Sequence, residues 1–360
     1  MKAATAYAPG RVELLGNHTD YNQGLVLAAA IDRGLTAQGR LRTDQRVVLS
    51  SQTLGRHCEL SLAEVAPSAA EPWANYPLGV VNELIMAGYR LEGFELDLSG
   101  NLPTGGGLSS SAAVEVATAL LLAKLHNLEI PALALAKLCH RAENFFVGVP
   151  SGLLDQVTCV FGRADHAVFL DCQSEAIETV PLPSELALII ANSGAAHSLV
   201  AGDYRARREQ CFAAAEALGL LSLRELSSAD LEKSASLLDP LLRRRAVHIT
   251  GENERVQAAV HALRCGNGDA LGALMNASHE SSRVNFENST PELDLLTSSA
   301  RALPGVLGAR LTGGGFGGSA IVLVRADSAA EVAEQLAAIF HAQTGIDPAP
   351  FITRASDGAR

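Results

Sequence analysis

"LPTGGGLSSSAAVEVATALLLAKLHNL", residues 102–128, sets three glycines and three serines ahead of an Ala- and Leu-rich run free of Gly and Pro. That run predicts a long, mostly buried helix over 109–128, opened by Ser residues suited to an N-cap. Three consecutive glycines let the backbone approach a ligand without Cβ obstruction and adopt positive φ. The helix behind them offers unpaired N–H groups and the positive end of its dipole, which attract anions. A glycine loop leading into a helix N-terminus is a physical recipe for cradling phosphate. The better-known phosphate loops do not fit it. The Walker pattern GxxxxGK[ST] fails because the chain has no Gly-Lys dipeptide. GxGxxG fits poorly, since Leu-Ser-Ser follows Gly105, Gly106 and Gly107. Neither HRD nor DFG of the protein kinases occurs.

Two further stretches frame this loop. "GRVELLGNHTDYNQG", 10–24, packs an Arg, a Glu, two Asn, a His and an Asp between glycines, a set suited to a small, hydroxyl-rich ligand. "LTGGGFGGSA", 311–320, is a second glycine-dense segment, within a run that reads as strand, glycine loop, strand. Strands are expected at 46–51, 94–100 and 186–195, and helices at 72–89, 132–146 and 202–218. Several polar amphipathic helices follow the last of these. A soft domain boundary falls near 175–180. The mixture is α+β with antiparallel strand pairs, not the regular alternation of a doubly wound sheet.

Composition narrows the function classes. The chain has 360 residues, 48% hydrophobic and 19% charged, with a net charge of −11. That length suggests two domains or one large two-lobed unit. Positive charge is nearly all Arg, Lys occurring only as Lys2, Lys124, Lys137 and Lys233. No basic stripe is present, which argues against nucleic acid. Six isolated Cys with no CxxC argue against a zinc site and a secreted disulfide framework. No apolar run approaches the roughly 20 residues of a membrane helix, and the N-terminus lacks a signal-peptide core. A cytoplasmic protein is expected, with no membrane partner.

Taken in order, the three motif segments resemble those of the GHMP small-molecule kinases, named for galactokinase, homoserine kinase, mevalonate kinase and phosphomevalonate kinase. "HTDYN" resembles the signature of the galactokinase branch. "WANY" (73–76), "AENFFVGVPSGLLDQ" (142–156), "HSLVAGDYRARREQC" (197–211) and "PELD" (291–294) agree with it. The resemblance covers nearly the whole chain. It implies an α+β, two-domain fold: a ribosomal-S5-like domain over 1–178 and a ferredoxin-like domain over 179–360, with the active site between them.

The same resemblance assigns roles. ATP is expected on Gly105, Gly106, Gly107, Leu108, Ser109, Ser110 and Ser111. Ser111 and Glu143 match the Mg²⁺ ligands, and Mg²⁺ takes few protein oxygens when phosphates supply the rest. Asp155 matches the catalytic Asp and Arg11 the active-site Arg. Asn17, His18, Thr19, Asp20, Gly152 and Tyr204 fall on the sugar side. The implied reaction is ATP-dependent phosphorylation of the C1 hydroxyl of galactose, in a monomer or weak dimer whose partners are the sugar and ATP. A non-catalytic sugar sensor is the reading from another class; the intact "SSSAA" junction opposes it.

One departure touches specificity. Glu13 stands where the family has Asn, and Asn17 stands where the family Glu binds the sugar's C6 hydroxyl. If the two side chains touch, the exchange preserves a mutual hydrogen bond and galactose specificity. Otherwise it reports a different C6 substituent: galacturonate, whose carboxylate the Asn amide could bind, or a sugar lacking the C6 hydroxyl. Ser319, where the third motif usually has Cys, is a conservative difference.

Overall fold

The computed structural model describes residues 2–103, 106–196 and 200–360. Strands β1 (Ala3–Leu15), β2 (Leu25–Leu41), β3 (Arg46–Ser51), β4 (Arg56–Ser61), β5 (Phe94–Gly100), β6 (His166–Asp171) and β7 (Ala176–Pro181) form one sheet. Its order is β4-β3-β5-β2-β6-β7, with β1 also paired to β2. The β3–β5 pair is parallel and the others are antiparallel. β1 and β2 make a long hairpin whose register shifts between Pro9 and Arg11 and again between Glu13 and Leu15. Such irregularities re-aim side chains, and here they bracket the two charged residues of β1.

A second sheet holds β8 (Leu186–Ala196), β9 (Val306–Thr312), β10 (Gly317–Arg325) and β11 (Phe351–Thr353), in the order β11-β8-β10-β9. Residue 178, the expected domain boundary, lies inside β7. The helices are α1 (Asn75–Met86), α2 (Ser110–His126), α3 (Ala132–Arg141), α4 (Leu154–Phe161), α5 (Val200–Ala217), α6 (Ser228–Ser234), α7 (Pro240–Arg264), α8 (Gly268–Ser281), α9 (Pro291–Arg301) and α10 (Ala329–Thr344).

α2 is the helix read from the Ala/Leu run, and its Ala112, Val116, Ala119 and Leu122 are all fully buried. A helix apolar around its circumference must be enclosed, and α2 packs on the β1–β2 hairpin. The main core continues from this layer into the second sheet, taking in Leu188, Ile190, Ile321 and Leu323. Backbone bonds also return from the C-terminal stretch. Arg360 exchanges N–H···O bonds with Tyr7 in both directions, Gly358 donates to Gly162, and Ala355 bridges Ile31. The two halves therefore share hydrophobic contacts and strand pairing, which fixes the walls of the cavity between them.

Two expectations need correction. The helix expected over 132–146 is regular only to Arg141 and then widens into a π turn over Ala142–Val147. The serine N-cap of α2 is absent. Ser109 occupies the cap position in the left-handed region, φ 56°, and its side chain makes no capping bond.

Candidate active site

One cavity of about 660 Å³ lies where the phosphate loop, the polar run after β1 and the β9–β10 turn meet. Arg11, Asn17, His18, Asp20, Gly107, Leu108, Ser109, Ser110, Ser111, Glu143, Gly152, Asp155 and Tyr204 all line it. Of the other expected site residues, Gly105 lies outside the described residues, and Gly106 and Thr19 do not reach the wall. Thr19 is fully buried, and its hydroxyl donates to the backbone carbonyls of Gly16 and Leu25, at 2.7 and 2.6 Å. It closes the turn that carries the polar run, so its role is to shape that turn.

The centre of the cavity is a charge pair. Asp155 sits in the first turn of α4, and Arg11 reaches it from β1 with two parallel bonds, Nε to Oδ1 at 2.8 Å and Nη2 to Oδ2 at 2.9 Å. This fork geometry fixes direction as well as charge. Burial disfavours the Arg11 cation, but Asp155 and Glu13 more than offset this and raise its pKa. A third bond runs from Arg11 Nη1 to the Gly107 carbonyl, 2.6 Å, tying the pair to the glycine loop.

Ser109 explains its missing cap at this point. Its hydroxyl donates to Asp155 Oδ2 at 2.5 Å. The first N–H groups of α2 are thereby left without a serine partner, and Ser110 and Ser111, which carry the first of them, line the cavity, as an anion site requires. The left-handed backbone of Ser109 is costly for a residue with a Cβ, and His18 (φ 62°) and Phe316 (φ 59°) share it. All three line the cavity, and strained non-glycine residues of this kind gather at functional sites.

Glu143 comes from the π turn and is almost fully buried. Its Oε2 accepts from Ser151 Oγ, 2.5 Å, and Gln156 Nε2, 3.0 Å. Burial raises its pKa, Asp155 adds to this, and the hydroxyls of Ser151 and Ser111 oppose it. Gln156 also donates to Glu115 at 3.0 Å. Glu115, fully buried on α2, is pushed well above the ordinary carboxyl range by burial and by Glu143. The reading from sequence missed both Glu115 and Gln156. A lone Glu inside an Ala/Leu helix was the available signal.

On the far side, Asp20 faces Gly152. A Cβ on Gly152 would lie 2.0 Å from Asp20 Oδ2, so only glycine fits there. Burial, with Asp155 and Glu13 adding to it, pushes the Asp20 carboxyl up to about 7. His18 packs in tilted geometry against both Tyr204 and Phe286, ring centroids 4.9 and 4.5 Å away. Burial lowers its pKa to about 3, so it is neutral. Its Nε2 lies 2.9 Å from the Gly314 carbonyl and must carry the proton. Its Nδ1 then accepts from Tyr21 Oη at 2.8 Å. Both ring nitrogens are therefore engaged by protein.

The exchanged pair is in direct contact. Asn17 Nδ2 donates to Glu13 Oε1 at 3.1 Å, and Glu13 Oε1 also accepts from Arg310 Nη2 at 2.9 Å. Arg310, which is fully buried, and Asn288, which bonds Asn17, were not singled out from sequence. Their partners lie far away along the chain. Glu13, Arg205 and the turn Gly313–Gly318 also line the wall.

Among the described residues, no three or more His, Cys, Asp or Glu side chains group as a metal site, and no helix is long and apolar enough to cross a membrane. All six cysteines are free.

Comparison with known proteins places these features in a family. Residues 2–41 match the galactokinase galactose-binding signature. Residues 75–163 match the GHMP kinases N terminal domain, and 259–342 the GHMP kinases C terminal. The galactokinase of Roseiflexus sp. (strain RS-1) is 41% identical over 98% of this chain and 91% of its own length. That of Bos taurus is 40% identical, with the same coverage of 98% and 91%. The structure of Lactococcus lactis galactokinase complexed with galactose superposes with a TM-score of 0.96 at 36% identity, covering 100% of this chain and 95% of that one. A mevalonate kinase structure, 20% identical with a TM-score of 0.67, shares the fold. The chain belongs to the galactokinase family, within the GHMP kinases.

Proposed function

We propose that this protein transfers the γ-phosphoryl group of ATP to the C1 hydroxyl of galactose, giving galactose 1-phosphate and ADP. The observation that carries the reading is the Arg11–Asp155–Ser109 cluster, where the phosphate loop meets the polar run on one cavity wall. The triphosphate lies along Gly107–Ser111 and the open N-terminus of α2. The sugar lies against Asp20, Gly152 and Tyr204. Its acceptor hydroxyl hydrogen-bonds Asp155, which takes the proton as the O–P bond forms and the bond to ADP breaks. Transfer of this kind asks little proton chemistry of the protein and much positioning. Arg11 supplies that positioning by holding both oxygens of Asp155, and its charge faces the transferring phosphoryl group.

Ser111 and Glu143 are a hard hydroxyl and a carboxylate beside the phosphate loop, a donor set that fits Mg²⁺ when phosphates complete its shell. Bound there, Mg²⁺ neutralises charge on the phosphates. Ser151 and Gln156 orient Glu143 for that task.

The Asn17 amide is fully engaged by protein groups, and Glu13, Asp20 and Asp155 carry carboxylates into the cavity. This favours a neutral sugar over galacturonate. Cytoplasmic location and a monomer or weak dimer complete the proposal. The test is ADP release from ATP and Mg²⁺ with D-galactose, D-galacturonate, L-arabinose and D-fucose offered separately. Turnover led by galactose supports the reading. Sugar binding without turnover on any of them returns the sensor.

A further inference from the structure

Glu13 has the geometry of a ligand-reading residue, although it matches no expected site position. It follows Arg11 by two residues on β1, and both line the cavity. Its backbone is pinned: the N–H donates to Thr312 Oγ1 at 2.9 Å, and the carbonyl accepts from Thr312 Oγ1 and Arg310 Nη1, each at 3.3 Å. Oε1 is occupied by Arg310 and Asn17. Among the described residues, Oε2 has one partner, Asn17 Nδ2 at 3.5 Å, the outer limit of a hydrogen bond.

Asn17 is the reverse case. Both protons of its amide have closer acceptors, Glu13 Oε1 at 3.1 Å and the Gly313 carbonyl at 2.7 Å. Its Oδ1 accepts from Asn288 at 2.8 Å and Ser282 at 3.5 Å. Asn17 is wholly inaccessible, and Glu13 is 4% exposed. Among the described residues, Glu13 Oε2 is therefore the less occupied acceptor of the exchanged pair, and it belongs to the residue that is not wholly enclosed.

We propose that Glu13 Oε2 accepts a hydrogen bond from one hydroxyl of the bound sugar, so that Glu13, not Asn17, reads that hydroxyl and disfavours an anionic group in its place. Arg310 holds the carboxylate in place, and Asn17 is its positioning partner. The inference rests on the sugar occupying this cavity as proposed above.

The test pairs loss of the carboxylate with loss of each hydroxyl. kcat and KM are measured for D-galactose and its 2-, 3-, 4- and 6-deoxy forms, using wild type, Glu13→Gln and Glu13→Asp. A hydrogen bond to a charged acceptor corresponds to a selectivity of about ten- to a hundredfold. In wild type, one deoxy sugar should fall behind galactose by that factor through this bond. In Glu13→Gln the ratio for that same sugar should shrink about tenfold, mainly through KM for galactose, with the other three ratios unmoved. A ratio of two sugars on one preparation does not depend on the folded fraction. Glu13→Asp keeps the charge beside Arg310 but draws the carboxylate back, and should shrink the same ratio if Glu13→Gln does not fold. All four ratios unchanged in whichever variant folds would overturn the inference. Wild type that turns over no galactose would instead overturn the proposed function.

Discussion

Single atoms decide much of this site. Asp155→Asn keeps shape but cannot take the acceptor proton, and kcat should fall about 10²–10⁴-fold with a smaller effect on either KM; steady-state kinetics check this. Gly152→Ala puts a methyl where Asp20 Oδ2 now lies. A shift of that size costs up to about 10² in rate, and sugar KM should rise tenfold or more while ATP KM holds. Asp20 also marks the pH profile of stability. Its native pKa, about 7, stands above the ordinary Asp value. The folded state therefore holds this proton more tightly, and that stabilisation is lost as pH rises from about 4 to about 7. Asp20→Asn should flatten stability across that window, by at most about 1.4 kcal/mol per pH unit for one proton, and by less given partial solvent access. Urea titrations at pH 4, 5.5 and 7 measure it.

At the scale of elements, α2 and the π turn after α3 work together. Glu115 on α2 and Glu143 on the turn share the amide of Gln156. Burial and Glu143 raise the Glu115 carboxyl well above its ordinary range, so Glu115→Gln, which keeps the shape and removes only the charge, should leave stability within about 1 kcal/mol. Glu115→Ala opens a cavity and removes an acceptor from Gln156, and should cost about 2–4 kcal/mol; thermal unfolding separates the two. These elements also mark the limits of the sequence. β3 and β5 run over Arg46–Ser51 and Phe94–Gly100, as their patterns indicated, because alternation and bounding turns are local signals. The serine cap failed because Ser109 serves Asp155, 46 residues away. Periodicity ran straight through the π turn, since one widened turn barely disturbs a pattern. Thr19 and His18 sit within the motif, yet which atoms they leave for a ligand depends on Gly16, Leu25 and Gly314. The motif names the residue; the three-dimensional partners decide which of its atoms are open.

Across the whole molecule, Arg310 of β9 joins the second sheet to Glu13 of β1 as an ion pair in which Arg310 is wholly enclosed and Glu13 nearly so. Arg310→Met would leave Glu13 buried without its counter-charge, at a cost of about 3–5 kcal/mol, read as a lower urea midpoint with an unchanged m-value. That pair spans 297 residues of sequence, and Asn17 meets the Gly313 carbonyl across 296. Contacts this remote form after the local hairpins and helices, since chain closure must come first. The Glu13–Arg310 seam is therefore expected to settle late in folding. Damage to the Glu13–Arg310 seam should speed unfolding and barely slow refolding, so a variant can refold at its normal pace and still lose its active form quickly on standing.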